Sequence, residues 1–339
     1  MSLVVGLTRL GFDVVLVEAL PEGATESRDY LTRTCATLGI EGYAVGHSPP
    51  PELVDRAEAA SLLINVGGHV TCEAIKKPPR VRVFLDDDPG YTQFWRAQGL
   101  LDTKLAGHDF YFTYGEQIGR AGCPIPTGGI DWRPLRPPVV LTDWPVVASS
   151  RDTFTTVASW RGPYGRVAVD GHLYGQKAHE FRRFSQLPAL APHPFEIALD
   201  IDPAEASDRE LLLKQGWNLV DPRVVASTPE DFRRYVQQSS AEFSVAQGIY
   251  VDTHCGWFSD RTTRYLASGK PALVQDTGFS SSIPTGEGLI AFTTMDEAVA
   301  GADSIMRTYD AHAQAARAIA EEHFDSDKVL GRMLEEVGL

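Results

Sequence analysis

The stretch Gly256-Trp-Phe-Ser-Asp-Arg-Thr-Thr-Arg-Tyr-Leu-Ala-Ser-Gly-Lys-Pro-Ala-Leu-Val-Gln-Asp-Thr-Gly-Phe279 reads as a capped helix, a glycine stop and a buried strand. Ser259 and Asp260 are good N-cap residues, so a helix is expected over 260–268, with Gly269 ending it and Pro271 leading the next element. Pro271–Gln275 is a short apolar run of the kind that a parallel sheet buries on both faces. It ends in Asp276-Thr277-Gly278-Phe279, where the carboxyl edge of an α/β sheet takes its ligands. The free N–H groups of the helix start, around Ser259, Asp260 and Arg261, form a natural seat for a diphosphate. An ordinary surface helix, with Asp260 paired to Arg264 at i,i+4, satisfies the same residues.

Working outward, the same alternation recurs. Strands are expected at Phe154–Ala158, Phe195–Leu199, Trp217–Val220, Glu242–Ala246 and Leu289–Phe292, with helices over 176–187, 207–215 and 229–239 between them. Earlier in the chain, Leu3, Val4, Leu7 and Leu10 recur at helical spacing and Gly11 stops them. Strands Asp13–Glu18, Ser61–Val66, Val81–Leu85 and Phe110–Tyr114 alternate with helices Ser27–Leu38 and Pro51–Ala60. Helix alternating with short apolar strand specifies parallel sheets with crossover helices. Residues 134–150 are proline-rich and aperiodic, as an extended linker is. The expected organisation is therefore a first domain over 1–138, a linker over 139–150, a second domain over 151–310, and C-terminal helices over 311–339 that pack back on the first. The chain opens on a helix where such sheets open on a strand, so that strand is either absent or encoded upstream of Met1.

Composition bounds the function. The 339 residues are 43% apolar and 22% charged, with a net charge of −14, which argues against general nucleic-acid binding and against anionic lipid. No run of about 18 apolar residues exists, and the start carries no cationic leader, so a cytoplasmic protein is expected. Cys35, Cys72, Cys123 and Cys255 are far apart, which disfavours a zinc site or a disulfide framework. No G-x-G-x-x-G follows a strand, which disfavours a dinucleotide oxidoreductase.

In the first domain, Asn65-Val-Gly67-Gly68-His69 follows a buried strand. The glycines permit close backbone approach, and His69 is either a base and acceptor contact or a structural histidine. Asp86-Asp87-Asp88 reads as a polar turn before Pro89 and Gly90 rather than a metal site, with Asp87 or Asp88 still able to face an acceptor. His108-Asp109 and Tyr114-Gly-Glu116 lie at strand edges and either line the site or form ordinary turns. Thr285-Gly-Glu287-Gly288 is a tight loop in which Glu287 either accepts sugar hydroxyls or completes a turn.

The helix–Gly–x–Pro–strand–Asp-x-Gly arrangement of residues 260–278 resembles the donor-binding element of the group 1 glycosyltransferases of the GT-B fold. Cys123-Pro-Ile-Pro-Thr-Gly-Gly-Ile-Asp-Trp-Arg-Pro134, Phe154-Thr-Thr-Val-Ala-Ser-Trp-Arg-Gly162 and Thr285-Gly-Glu-Gly-Leu-Ile-Ala-Phe292 are similar to a bacterial branch of those enzymes. The resemblance implies an α/β fold of two Rossmann-like domains facing each other across a cleft. The implied activity is metal-independent transfer, with retention, from a nucleoside-diphosphate sugar to a small-molecule or glycan acceptor, and no other cofactor. It implies Arg161 and Lys177 on the donor diphosphate, Leu219 and Val220 near the nucleobase, and Ser259, Asp260, Arg261, Arg264 and Asp276–Phe279 around the donor. His69, Asp87 and Glu287 become catalytic candidates, and a homodimer is one expected assembly. Where the family has a ribose-binding Glu, this chain has Arg264, with Asp260 the nearest acidic substitute. An epimerase or phosphorylase on the same scaffold, or a non-catalytic sugar-nucleotide binder, are the competing readings.

Overall fold

The computed structural model describes every residue except Glu22 and His47. The chain divides into two compact units, the first formed by Met1–Arg120, Pro124–Pro138 and Ser326–Leu339, the second by Ala121–Cys123 and Val139–Asp325. All strands of both main sheets run parallel, as the alternation of helix and apolar strand requires.

Among the described residues, the first unit carries six strands in two parallel sheets. Strands β1 (Val15–Ala19) and β2 (Glu41–Val45) form a pair, and β3 (Leu62–Val66), β4 (Val81–Asp86), β5 (Phe110–Thr113) and β6 (Trp132–Pro134) pair in that order. The expected strand at 13–18 is displaced by a residue or two, and β2 has no counterpart among the expected elements. The core of this unit joins Val83, Leu85 and Phe112 of the sheet to Leu7 of the helix Ser2–Arg9. It also takes Leu330, Met333 and Leu334 from the helix Ser326–Val337.

The second unit holds a six-stranded sheet in the order β11-β10-β7-β12-β13-β14. Its strands are β7 (Phe154–Ser159), β10 (Phe195–Asp200), β11 (Asn218–Val220), β12 (Ala241–Ser244), β13 (Ala272–Gln275) and β14 (Leu289–Phe292). From β7 the chain first winds one way through β10 and β11, then returns to the other side through β12, β13 and β14. The order thus reverses between β7 and β12, and in open α/β sheets the carboxyl ends at such a reversal form the ligand crevice. Side chains alternate between two cores. Leu273 joins Phe154, Phe195, Phe243 and Phe292 on one face, while Ala272 and Val274 join Leu266, Ala316, Ile319 and Phe324 on the other. That double burial is why these strands read as unbroken apolar runs.

Two local departures have plain causes. The expected helix 176–187 is two, Lys177–Arg183 and Leu187–Leu190, with Pro188 leading the second. A small hairpin, β8 (Val167–Val169) and β9 (His172–Tyr174), lies where no strand was expected. Its Asp170-Gly171 turn, with both residues at positive φ, is a strong hairpin signal attached to strands too short to show alternation.

The expected linker over 139–150 is packed into the second unit instead of hanging free. Val139 is fully buried, Trp144 is buried, and Lys270 Nζ donates to the Val147 carbonyl at 2.8 Å. Of the C-terminal helices, Tyr309–His323 packs in the second unit, and Ser326–Val337 belongs to the first. No helix among the described residues is long and apolar enough to cross a membrane.

Candidate functional site

Of the candidate donor residues, the carboxyl edge at the reversal between β7 and β12 holds Arg161 and Lys177, with the Arg261 guanidinium between the two strands. Strand β7 delivers Trp160, Arg161 and Gly162, and β12 delivers Ala246 and Gln247. Gly162 has φ +79, and a β-carbon there would stand 2.4 Å from Gln247 Nε2, so only glycine lets these loops touch. Gln247 Oε1 in turn accepts the backbone N–H of Lys177 at 2.7 Å, fixing the start of the helix Lys177–Arg183 over the crevice.

Arg161 is half-exposed, ion-paired to Glu205, and donates through Nη1 to Gln176 Oε1 at 3.1 Å. The hydrogen bond that Arg161 donates to Glu205, and the charge of Glu205, raise the Arg161 pKa further, so it is a permanent cation. Behind it, Asp208 accepts Trp160 Nε1 at 2.8 Å and Arg182 Nη2 at 2.5 Å, and the Arg182 hydrogen bond holds its carboxyl below the usual range. This network pins the loop after β7 by side chains on three separate segments.

The other donor-side residues sort by what they touch. Ser259 accepts the Arg261 N–H at 3.2 Å as N-cap of the helix Asp260–Ala267, so this hydroxyl and one helix-start donor are already paired. Asp260 is exposed and pairs with Arg264 at 2.7 Å, and Arg264 lies over the Phe232 ring at 5.8 Å. Arg264 therefore ties two helices together at the place where the family resemblance puts a ribose contact. Arg261 turns inward, with its Nε on Glu242 Oε1 at 2.7 Å. Asp276 caps its own loop, accepting Gly278 N–H at 2.9 Å and Ser280 Oγ at 2.5 Å. Thr277 is tied to the Trp257 carbonyl, Gly278 lies against the His254 backbone, and Phe279 is fully buried core. Leu219 and Val220 end the outermost strand β11, with Leu219 packed on the core. Beside Asp276 a pocket of about 460 Å³ opens, lined by His172, Tyr174, Arg183, His254 and Thr293 among others.

Glu287 is the clear correction. The loop Thr285–Gly288 precedes β14, and Gly286 N–H bonds to the Leu289 carbonyl at the strand's first residue. In an all-parallel sheet it therefore lies at the amino edge, a strand length away from Arg161, Lys177 and Asp276. Glu287 shares no site with them. His312, whose Nδ1 accepts Gly288 N–H at 3.1 Å, marks that loop as a docked turn.

In the first unit the candidates again sit at strand carboxyl ends, but several are committed to structure. Asn65 is buried at the end of β3. It holds Val70 through both its oxygen and its nitrogen, and its Nδ2 lies 3.1 Å from His108 Nε2. Because that amide nitrogen can only donate, His108 Nε2 accepts and Nδ1–H donates to the Leu105 carbonyl at 3.0 Å. Burial pushes the His108 pKa down, consistent with a neutral ring. Glu116 is buried and ion-paired to Arg136 at 2.5 Å, so it holds a loop and does not face a ligand. Tyr114 packs against the core, and its N–H bonds to the Asp86 carbonyl at 2.9 Å.

The aspartate run is divided in a way the sequence does not reveal. Asp86 is the last residue of β4, fully buried, and accepts Thr92 Oγ1, Gln93 Nε2 and Thr113 Oγ1 at 2.6–2.7 Å. Desolvation outweighs those three donors and raises its pKa to about 6. Asp87 lies in the loop beyond, close to His69. Gly67 and Gly68 have φ +59 and +67, and a β-carbon on Gly67 would stand 2.9 Å from His69 Nε2 and 3.6 Å from Asp87 Oδ1. His69 and Asp87 thus flank one glycine turn at the carboxyl edge of β3 and β4, with His69 exposed. Among the described residues, no group of three or more His, Cys, Asp or Glu is arranged to hold a metal ion.

No family model and no curated protein matches the sequence. Solved structures do match in shape. HepE of Anabaena, in complex with UDP and glucose, superimposes with a TM-score of 0.66 at 11% identity, over 99% of this chain and 95% of that one. Sucrose-phosphate synthase from Thermosynechococcus elongatus gives 0.59 at 11% identity, over 99% and 92%. A putative UDP-N-acetylglucosamine 2-epimerase from Listeria monocytogenes gives 0.52 at 11% identity, over 98% and 90%. Matches that span nearly the whole of both chains, on the parallel topology described above, show that this chain has the GT-B fold.

Proposed function

We propose that the chain is a glycosyltransferase that binds a nucleoside-diphosphate sugar at the β7–β12 crevice of the second unit. The observation that carries the reading is the convergence at this reversal point. Gly162 meets Gln247, Gln247 holds the start of the Lys177 helix, and Arg161 stands fixed beside them. HepE has the same fold and was solved with UDP and with UDP-glucose, which makes a nucleotide sugar the ligand to test first.

In this reading Arg161 and Lys177 offset the charge that develops on the departing diphosphate, a task two fixed cations perform without a metal. The glycosyl group passes through an oxocarbenium-like transition state. The acceptor binds the first unit beside His69 and Asp87, where an imidazole and a carboxylate flank the Gly67 turn. Retention of configuration follows the family resemblance alone. The nucleotide sugar is a co-substrate, and no further cofactor enters the scheme.

The test is a thermal-shift panel of nucleoside diphosphates and nucleotide sugars, repeated on Lys177→Ala. A ligand at a hundredfold excess over its Kd stabilises by about 2.7 kcal/mol. A shift for one base family that shrinks in Lys177→Ala is the expected result. A folded protein that no nucleotide stabilises would end the proposal. The Listeria match keeps an epimerase in view. Incubating the stabilising nucleotide sugar without any acceptor separates the two, because an epimerase converts it and a transferase waits for an acceptor.

A further inference from the structure

We infer that the buried Arg261–Glu242 pair is a positioning element that sets the width of the fork between β7 and β12. For its ligand the inference rests on the nucleotide-binding reading above; for the fork it rests on geometry alone. Strand β12 pairs with β7 only through Ala241↔Phe154 and Glu242↔Thr155. Beyond that point β7 continues to Ser159 beside β10, and β12 continues to Ser244 beside β13. Two parallel strands that diverge leave backbone groups without a ladder partner, and Val157 O is one of them.

A single guanidinium spans the gap. Arg261 Nη1 donates to Val157 O on one arm at 3.0 Å, and Nη2 donates to Ser244 Oγ on the other at 2.6 Å. Its Nε meets Glu242 Oε1, two residues back on the same strand, at 2.7 Å. The rigid planar fork of arginine can satisfy three acceptors in fixed directions, which the single ammonium of lysine cannot do at these separations. Glu242 is wholly buried, and its Oε2 accepts no hydrogen bond from the described residues. A buried pair with an unsatisfied oxygen is a poor source of net stability, since desolvation consumes most of the Coulombic gain. What the pair does supply is a spacer of fixed length between two strand ends.

The spacing is passed directly to the crevice. The arm after β7 carries Gly162, and the arm after β12 carries Gln247, which would clash with any β-carbon on Gly162 and which anchors Lys177. A change in fork width therefore moves Gln247 relative to Gly162 and loosens the helix start that Lys177 opens. Arg261 acts through these residues; it is a positioning residue.

The double variant Arg261→Met/Glu242→Met leaves no unpaired buried charge, and Arg261→Lys retains the cation without the spacer. Both are measured as full-length protein by amide hydrogen exchange, thermal melting, and titration with UDP, GDP, ADP and dTDP. The expected result is a melting temperature close to wild type, with exchange at 156–160 and 245–248 faster by about tenfold or more. Affinity for the nucleotide that wild type binds falls by about tenfold or more in both variants. Wild-type exchange at those amides in either variant overturns the inference, as does unchanged affinity in a variant whose exchange has risen. Faster exchange in a series where wild type binds none of the diphosphates leaves the spacer standing and removes the nucleotide reading instead.

Discussion

Replacing Gly162 with alanine tests the crevice at its tightest point. The new β-carbon would lie 2.4 Å from Gln247 Nε2, more than 1 Å inside ordinary contact. Gln247 is buried, and its Oε1 already holds the Lys177 N–H, so the amide cannot swing away without giving up that bond. An alanine held at φ +79 costs about 1–2 kcal/mol. Loss of the Gln247–Lys177 hydrogen bond adds about 1 kcal/mol. Together these destabilise the second unit by about 2–3 kcal/mol, a fall of roughly 5–10 °C in melting temperature for a domain of this size. The freed helix start should also weaken nucleotide binding by about tenfold, the equivalent of one hydrogen bond. Gly165→Ala is the matched control in the same loop, because nothing lies within 4 Å of its added carbon and its φ is not left-handed. Differential scanning calorimetry and isothermal titration on the pair decide the matter. If Gly162→Ala melts and binds like Gly165→Ala, the contact does not organise the crevice and the argument built on it is wrong.

Three further outcomes are expected. Glu287→Ala should leave nucleotide binding unchanged by titration, because its loop lies at the amino edge of the sheet. Asp86, raised to about 6 by burial, favours the fold at low pH; that stability is complete below about pH 4 and is lost, by about 3 kcal/mol, as pH rises through 6. Urea unfolding of Asp86→Asn should show none of this slope relative to wild type. Lys270, wholly buried and pushed down to about 8, works in the opposite direction: the fold bears a cost of about 3 kcal/mol below pH 8 that is relieved as pH rises towards 10.5. Lys270→Met should be flat across that window and at least as stable as wild type at pH 7, read by chemical denaturation at each pH.

Much of the architecture is readable from residues 256–279 outward, because strands buried on both faces leave unbroken apolar runs and glycine and proline punctuate the helices between them. Strands β13 and β14 and the helix Asp260–Ala267 lie within a residue of their expected bounds. The hairpin β8–β9 escapes because three-residue strands carry no period, although its Asp-Gly turn was a usable sign. Side-chain commitments are harder to read. Glu116 looks available until Arg136, 20 positions later, is folded against it, and Arg261 looks like a surface cation until Glu242 is placed beneath it. Both pairings belong to tertiary structure. The misplacement of Glu287 is of another kind: its loop precedes a strand, and in a parallel sheet that order already assigns it to the amino edge.

The return of the helix Ser326–Val337 to the first unit has a consequence for how the protein is made. Residues 139–325 are contiguous and can close their own core as soon as they leave the ribosome, whereas Val83, Leu85 and Phe112 wait for Leu330, Met333 and Leu334. The usual vectorial order, in which the N-terminal domain folds first, is therefore inverted. Until the closing helix emerges, the nascent first unit exposes the apolar surface that the helix will cover. During that interval the equivalent helix of another copy is a chemically identical substitute, so crowded translation of this chain carries a built-in risk of domain swapping.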